Sequence, residues 1–341
     1  MTPYYTKINK LFYYWLLISF GLVFSIVIVG GLTRLTNSGL SITEWELFTG
    51  ILPPLNLDSW NNYFSLYQKI PQYKYLNENM TLDEFKIIFY WEYFHRVLAR
   101  IIGIFFLVPF IFFYFNKCVD RKYIRLCALI LFLIIFQGLV GWYMVKSGLI
   151  NNITVSHYRL SLHLSIAFII ISLIFWCILN IKKGASKKIL NKNKYNFVFY
   201  FLNFIIFSQV ILGAFVSGLD AGKIYQTWPL MNYTYFPDDV LINNITDFLN
   251  FDNQGLIQFY HRNLAYLICL YFLFIGIFIY KKNFLSLYKP YLIMFSILLL
   301  QVFLGILTLV SGLNIYLASI HQICSLLLVL SSLNLYFNYI N

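Results

Sequence analysis

The chain has 341 residues, of which 60% are apolar, 21% aromatic and only 11% charged. A soluble domain carries about 25% charged residues, so this composition excludes a water-soluble globular protein and points to an all-α integral membrane protein. The net charge of +12 would suit a nucleic-acid binder, but its distribution along the chain excludes that reading as well.

Apolar runs of about 20 residues are long enough to span a bilayer. Eight occur, at approximately 11–33, 87–115, 124–145, 158–181, 195–218, 256–280, 290–311 and 315–337. The first is too long for a signal-peptide core and lacks a small-residue cleavage site, so it reads as an uncleaved first helix. It ends in Gly30-Gly31 and gives way to a long outer segment punctuated by Gly39, Gly50 and Pro53-Pro54. Trp45 and Trp60 suit an interfacial position there. The second span begins after Thr81-Leu82-Asp83-Glu84, a capping-box spacing, and carries His95 about two turns inside. The third contains Gln137-Gly138-Leu139-Val140-Gly141, and the fourth opens at Tyr158-Arg159-Leu160 with His163 close behind. A lysine-rich linker, residues 182–194, separates an N-terminal half, 1–181, from a C-terminal half, 195–341.

Segments 1–10, 116–125, 182–194 and 281–289 together hold 15 Lys/Arg and one acid, Asp120. Segments 34–86, 146–159 and 219–255 hold 7 Lys/Arg and 11 acids. This is the positive-inside pattern, and it puts both termini in the cytoplasm. None of the five cysteines falls in an outer segment and no pair has CxxC spacing, so neither a disulfide framework nor a zinc site is indicated.

The second half repeats the first. Glu92-Tyr93-Phe94-His95-Arg96 recurs as Gln258-Phe259-Tyr260-His261-Arg262, offset by 166 residues, and Gln137 to Gly141 recurs as Gln301 to Gly305, offset by 164. His163 is echoed by His321 at an offset of 158. Such small drift indicates duplication of a four-helix unit. Both copies start on the same side, so two parallel four-helix bundles are expected.

Histidine and arginine are costly at membrane depth and usually face a bundle interior. All four histidines lie near the outer ends of their spans, roughly 10 Å deep at 1.5 Å per residue. Two histidines at one depth on two helices of a bundle offer facing axial nitrogens, which suits haem iron. Arg34, Arg96, Arg159 and Arg262 sit near the outer ends, where haem propionates need cationic partners. Snorkelling to lipid phosphates is the ordinary alternative for each. His157 lies six residues before His163 and reads as an interfacial histidine outside the site. Glu92 lies one turn before His95, whereas Gln258 takes that place before His261, so the two sites are expected to differ in task.

The segments Gly30-Gly31-Leu32-Thr33-Arg34-Leu35-Thr36, Ser38-Gly39-Leu40-Ser41-Ile42 and Phe94-His95-Arg96 resemble haem A synthases. So do Tyr158-Arg159-Leu160, His163-Leu164 and Gly213 to Gly222, followed by Tyr225, Thr227 and Pro229-Leu230-Met231-Asn232. The likeness covers nearly the whole chain and is greatest to the alphaproteobacterial and mitochondrial branch. It implies that haem O is the substrate and that its methyl group is oxidised in two steps to the formyl group of haem A. It also implies His95 and His163 about the substrate iron, His261 and His321 on a resident haem b that relays electrons, and Glu92 as the acidic residue near the substrate. The expected partners are the lipid bilayer, the haem O synthase that supplies the substrate, an electron donor and cytochrome oxidase assembly proteins. Homo-oligomerisation is left open, and nucleic acid is excluded. With no transit peptide in view, the expected location is a bacterial cytoplasmic (inner) membrane. Two features depart from the family: residues 34–86 hold no cysteine, and Glu46-Leu47 follows Trp45 where relatives tend to have a proline.

Two other readings use the same residues. A di-haem cytochrome of b type would relay electrons only, and a transporter or assembly factor would keep the histidines as structural groups and bind no haem. The Glu92/Gln258 asymmetry and the outer-segment motifs favour the enzyme.

Overall fold

A computed structural model describes residues 3–44, 52–151, 153–184, 187–190 and 193–340. Trp45, Glu46-Leu47 and Gly50 lie outside these residues. Ten α-helices follow one another: α1 Pro3–Leu35, α2 Leu57–Tyr67, α3 Pro71–Leu76, α4 Leu82–Phe115, α5 Arg121–Asn151, α6 His157–Lys182, α7 Asn196–Gly218, α8 Gln254–Lys281, α9 Tyr288–Val310 and α10 Ile315–Tyr339. All but α2 and α3 are long and apolar enough to cross a membrane. Among the described residues the one β feature is an isolated bridge between Met231 and Thr234. The chain is a multi-pass, all-α membrane protein, because a helix satisfies its own backbone groups where no water can. The observed spans differ from the expected ones by at most five residues at an end, most of them longer.

The chain divides into two compact units, Met1–Ile178 and Leu179–Asn341. In the first, α1 packs along α4. Trp15 donates its indole N–H to the carbonyl of Phe105 at 3.1 Å, and an aromatic cluster of Phe12, Trp15, Phe106 and Phe113 fills the seam. The start of α4 is fixed by the expected capping box: the Glu84 amide donates to Thr81 Oγ1 and the Thr81 amide donates to Glu84 Oε2. In the second unit α7 packs along α8 and α9 along α10. The Tyr271 hydroxyl bonds the Val198 carbonyl at 2.9 Å, and Ser332 bonds Asn203 at 2.9 Å.

Between α1 and α4 the described residues include two short helices. α2 starts at Asn56, whose side chain accepts from the Ser59 amide, and α3 starts with Pro71 in the first turn, where a missing N–H costs nothing. Leu40, Ile42, Trp60, Tyr67 and Ile70 then pack on Phe85, Ile88 and Phe89 of α4. Trp60, expected at the interface, is 8% exposed and stacks edge-on to Phe89 and Tyr90. Its amphipathic helix lays the apolar face on α4, which covers the indole.

Candidate functional site

Each of the four membrane histidines rests on a glycine of the neighbouring helix. A Cβ at Gly30 of α1 would lie 3.2 Å from His95 Nε2, and one at Gly141 of α5 would lie 3.0 Å from His163 Cε1. The corresponding distances are 3.2 Å from Gly213 of α7 to His261 and 2.9 Å from Gly305 of α9 to His321. Any larger residue would push the imidazole away, so glycine here serves close approach. One turn earlier on the same face, three of these helices carry a glutamine. Gln137 Nε2 donates to the His163 carbonyl at 2.9 Å, and Gln209 Nε2 to the His261 carbonyl at 2.9 Å. Gln209 Nε2 and Gln301 Nε2 also lie 3.4 Å from Nε2 of His261 and His321 respectively. On α1 the equivalent position is Ile26.

The first-unit pair is close enough to share an ion. The rings of His95 and His163 have centroids 6.4 Å apart and are inclined at 55°. Two metal–imidazole bonds of about 2 Å on opposite sides of one ion place the centroids about 6 Å apart, so the spacing fits bis-histidine ligation. Among the described residues no group of three or more His, Cys, Asp or Glu could hold a metal ion. A metal held by two imidazoles needs its remaining ligands from elsewhere, and a porphyrin supplies four. The buried Nδ1 atoms of His163, His261 and His321 have no hydrogen-bond partner. A buried imidazole with a nitrogen left unpaired is one that a metal can satisfy. The residues present therefore fit haem iron.

Glu92 is 3% exposed, and its carboxylate is surrounded by donors. Oε2 accepts from Ser41 Oγ at 2.8 Å and from the Ile42 amide at 2.9 Å. Oε1 accepts from Arg96 Nε at 3.0 Å and Nη2 at 2.6 Å. Arg96 Nη2 also reaches the Ile42 carbonyl at 3.0 Å. The carboxylate thus ties the outer segment at Ser41–Ile42 to α4, one turn from His95. The second unit repeats this clamp with an amide. Gln258 Nε2 donates to the Tyr225 carbonyl at 2.8 Å, and Arg262 Nη2 donates to the same carbonyl at 3.0 Å. Ile42 and Tyr225 correspond at an offset of 183, as do Gly30 and Gly213.

The four candidate propionate partners have protein contacts of their own. Arg34 bonds Asn37 at 3.0 Å, and Arg159 bonds Ser147 at 2.5 Å with its guanidinium 4.8 Å above the Tyr143 ring. Arg96 and Arg262 hold the clamps just described. His157, read as an interfacial histidine outside the site, is buried at the first turn of α6, its ring 4.1 Å from that of Tyr158. Arg100, one turn beyond Arg96, lines a small cleft with Arg96, Tyr93, Ile42 and Glu44. It was not singled out by sequence, although its spacing from Arg96 could have marked it.

The tyrosine at the second clamp has further partners. Tyr225 is 1% exposed, and its hydroxyl donates to Asp238 at 2.8 Å and also contacts Asp239. Burial, and then the two neighbouring carboxylates, push its phenol well above the ordinary tyrosine value.

Comparison with known proteins places this arrangement in a family. The chain is 52% identical over 333 residues to a heme A synthase of Pelagibacter ubique, covering 96% of this chain and 95% of that protein. It is 40% identical over 329 residues to a heme A synthase of Flavobacterium psychrophilum, covering 95% and 96%. It is 38% identical to one from Rickettsia africae, over 92% of this chain and 94% of that protein. Residues 13–333, which include both histidine pairs and both clamps, match the COX15-CtaA family of cytochrome oxidase assembly proteins, and the chain belongs to that family.

Proposed function

We propose that this chain is a haem A synthase, oxidising the methyl group of haem O to the formyl group of haem A. The observation that carries the reading is the His95–His163 pair, spaced for one iron, in a chain similar over almost its full length to heme A synthases. His95 and His163 would hold the substrate iron, and His261 and His321 a resident haem b. Haem b supplies one-electron transfer when bound.

The chain's own residues do the rest. The glycines admit the imidazoles close to the helix axes, where they would hold a haem iron. Glu92 is a negative charge held one turn from His95 by Ser41, Ile42 and Arg96. Oxidising a methyl group builds positive charge at carbon or releases a proton, and a fixed carboxylate stabilises the first or accepts the second. Arg34, Arg96, Arg159 and Arg262 bring four cations to the outer ends of the spans, where propionates would lie. The apolar helices exclude water from the reacting carbon.

The two halves act as parallel repeats, with both termini on the cytoplasmic side of a bacterial inner membrane. The 15-to-1 excess of basic over acidic residues in the assigned inner segments supports that orientation. A haem O synthase would supply the substrate, and cytochrome oxidase assembly would consume the product.

A di-haem electron carrier is the second reading, favoured by the equivalence of the four glycine seats. Expression with a haem O synthase in a host that makes no haem A separates the two. Haem A in the extracted and chromatographed porphyrins is the expected result. Haem O and haem b with no haem A would support the electron carrier and overturn the synthase.

A further inference from the structure

The four histidine seats are alike in glycine and unlike in glutamine. Gln137, Gln209 and Gln301 each stand one turn before the seating glycine and bond the histidine that rests there, through its carbonyl, its ring nitrogen or both. At Gly30 the glycine is kept, its Cβ position 3.2 Å from His95 Nε2, but the residue one turn earlier is Ile26. The internal repeat makes the difference specific. Ile26 and Gln209 correspond at the same offset of 183 that relates Gly30 to Gly213 and Ile42 to Tyr225. Of four equivalent positions, one has lost the amide, and it belongs to the unit in which a substrate must enter and a product must leave.

An amide that bonds the histidine's carbonyl across the helix pair fixes the ring's height on the neighbouring helix. Its Nε2 also lies 3.4 Å from the ring Nε2 of His261 and of His321 in the second unit, so the amide holds the ring in place until iron takes that nitrogen's lone pair. In addition, Oε1 of all three glutamines is buried without a partner. That unmet acceptor is a cost the present arrangement carries, so the bonds made by Nε2 are what hold the amide where it is. A β-branched isoleucine offers only apolar contact, so the His95 ring, packed on Gly30, has no glutamine amide one turn before its seat.

We infer that Gln137, Gln209 and Gln301 are positioning residues that lock three of the four iron-facing histidines, and that His95, seated beside Ile26, is the ligand released when the porphyrin of the first unit is exchanged. The inference rests on the proposed haem sites and deepens them, because it assigns the labile face of the substrate iron. His163, locked by Gln137, retains the porphyrin on one side. His95 opens on the other, and the second unit, locked on both sides, keeps its haem through many turnovers.

The test reads porphyrin release, not activity. Purified protein carrying haem b is loaded with haem O and mixed with excess serum albumin, and transfer is followed by visible absorption. In the unmodified protein, haem O is expected to leave at least about tenfold faster than haem b, the scale on which partners of metal ligands act. Ile26→Gln is expected to slow haem O release about tenfold and raise the low-spin fraction of the first-unit iron, while Ile26→Leu leaves both unchanged. Gln301→Leu and Gln209→Leu are expected to speed haem b loss by a similar factor, and they keep the test open should Ile26→Gln fail to fold. Equal release from Ile26→Gln, Ile26→Leu and the unmodified protein overturns the inference about His95. Unchanged haem b loss in both glutamine variants overturns the positioning role. Failure of the unmodified protein to take up any haem O overturns the functional reading, and the inference with it.

Discussion

The clamps of the two units differ in charge at one position, Glu92 against Gln258, and in the residues they hold, Ser41–Ile42 against Ile224–Tyr225. In the first unit Glu92 accepts from Ser41, Ile42 and Arg96, so a negative charge gathers donors and draws the outer segment onto α4. In the second unit Gln258 must donate, so it turns to the Tyr225 carbonyl and shares it with Arg262. The geometry of the clamp is retained while its charge is removed. A site that only holds a cofactor needs the geometry; a site that reacts has a use for the charge. The same division runs through the seats, where the second unit has both glutamines and the first has one.

The comparison breaks most completely if the second unit loses its ligands. His261→Ala or His321→Ala is expected to abolish the low-spin haem b signal, because six-coordinate iron cannot persist with an open axial position. Unchanged haem b spectra in both variants would place the resident haem elsewhere and dissolve the contrast between the units.

Glu92→Gln gives the first clamp the amide of the second. The amide keeps the shape but cannot accept from all the donors around it, so Ser41 or the Ile42 amide is left to find another partner. Haem A is expected to fall by about a hundredfold, the range for loss of a positioned acid–base or electrostatic group, with haem b content unchanged and haem O or its alcohol form accumulating. Haem A at the unmodified level would remove Glu92 from the chemistry. Loss of all bound haem would make it a structural clamp only.

How far these residues were legible in advance depends on the range of the signal. The eight spans and the Thr81–Glu84 box were readable because they follow from local composition and spacing. The Glu92/Gln258 contrast was visible in sequence, but the donors on Glu92 come from Ser41 and Ile42, some 50 residues away, and no spacing rule reaches them. Gln301 to Gly305 was recognisable as a repeat of Gln137 to Gly141, yet its use as a histidine seat was not, because that requires knowing which helices pack together. The burial of Trp60 and His157 was not legible either, because the residues that cover them are set by tertiary packing.

The seats themselves can be graded. At Gly305 an added Cβ would lie 2.9 Å from the His321 ring, and at Gly213 3.2 Å from His261. Gly305→Ala is therefore expected to displace its imidazole and cost about 1–3 kcal/mol of local packing, with Gly213→Ala at the low end of that range. Haem b content and thermal stability of the loaded protein would rank the two. The reverse ranking would show that the α9 backbone, and not the ring, gives way.

The smallest expected effect separates the clamps by their side chains. Tyr225 holds Asp238 and Asp239 through its hydroxyl, while its counterpart Ile42 has no polar group to offer. Tyr225→Phe removes one buried donor and leaves carboxylates that water can partly solvate, so a loss of about 1 kcal/mol is expected, read as a fall of about 2 °C in the unfolding midpoint. The pH dependence gives this prediction its sign. The folded phenol titrates above its unfolded value of about 10, because burial and the two carboxylates oppose its ionisation. The folded state then binds the proton more tightly than the unfolded state, so the contribution is fully present below about pH 10 and declines as pH rises toward the folded value. The difference in midpoint between Tyr225→Phe and the unmodified protein should be constant from neutral pH to about 10 and should narrow above it. A gap that widens in alkali would mean that the hydroxyl is not the proton-bearing partner of the two aspartates. The corresponding change at Ile42, Ile42→Val, has no ionisable group to lose and should show no such dependence, which isolates the effect to the second unit's clamp.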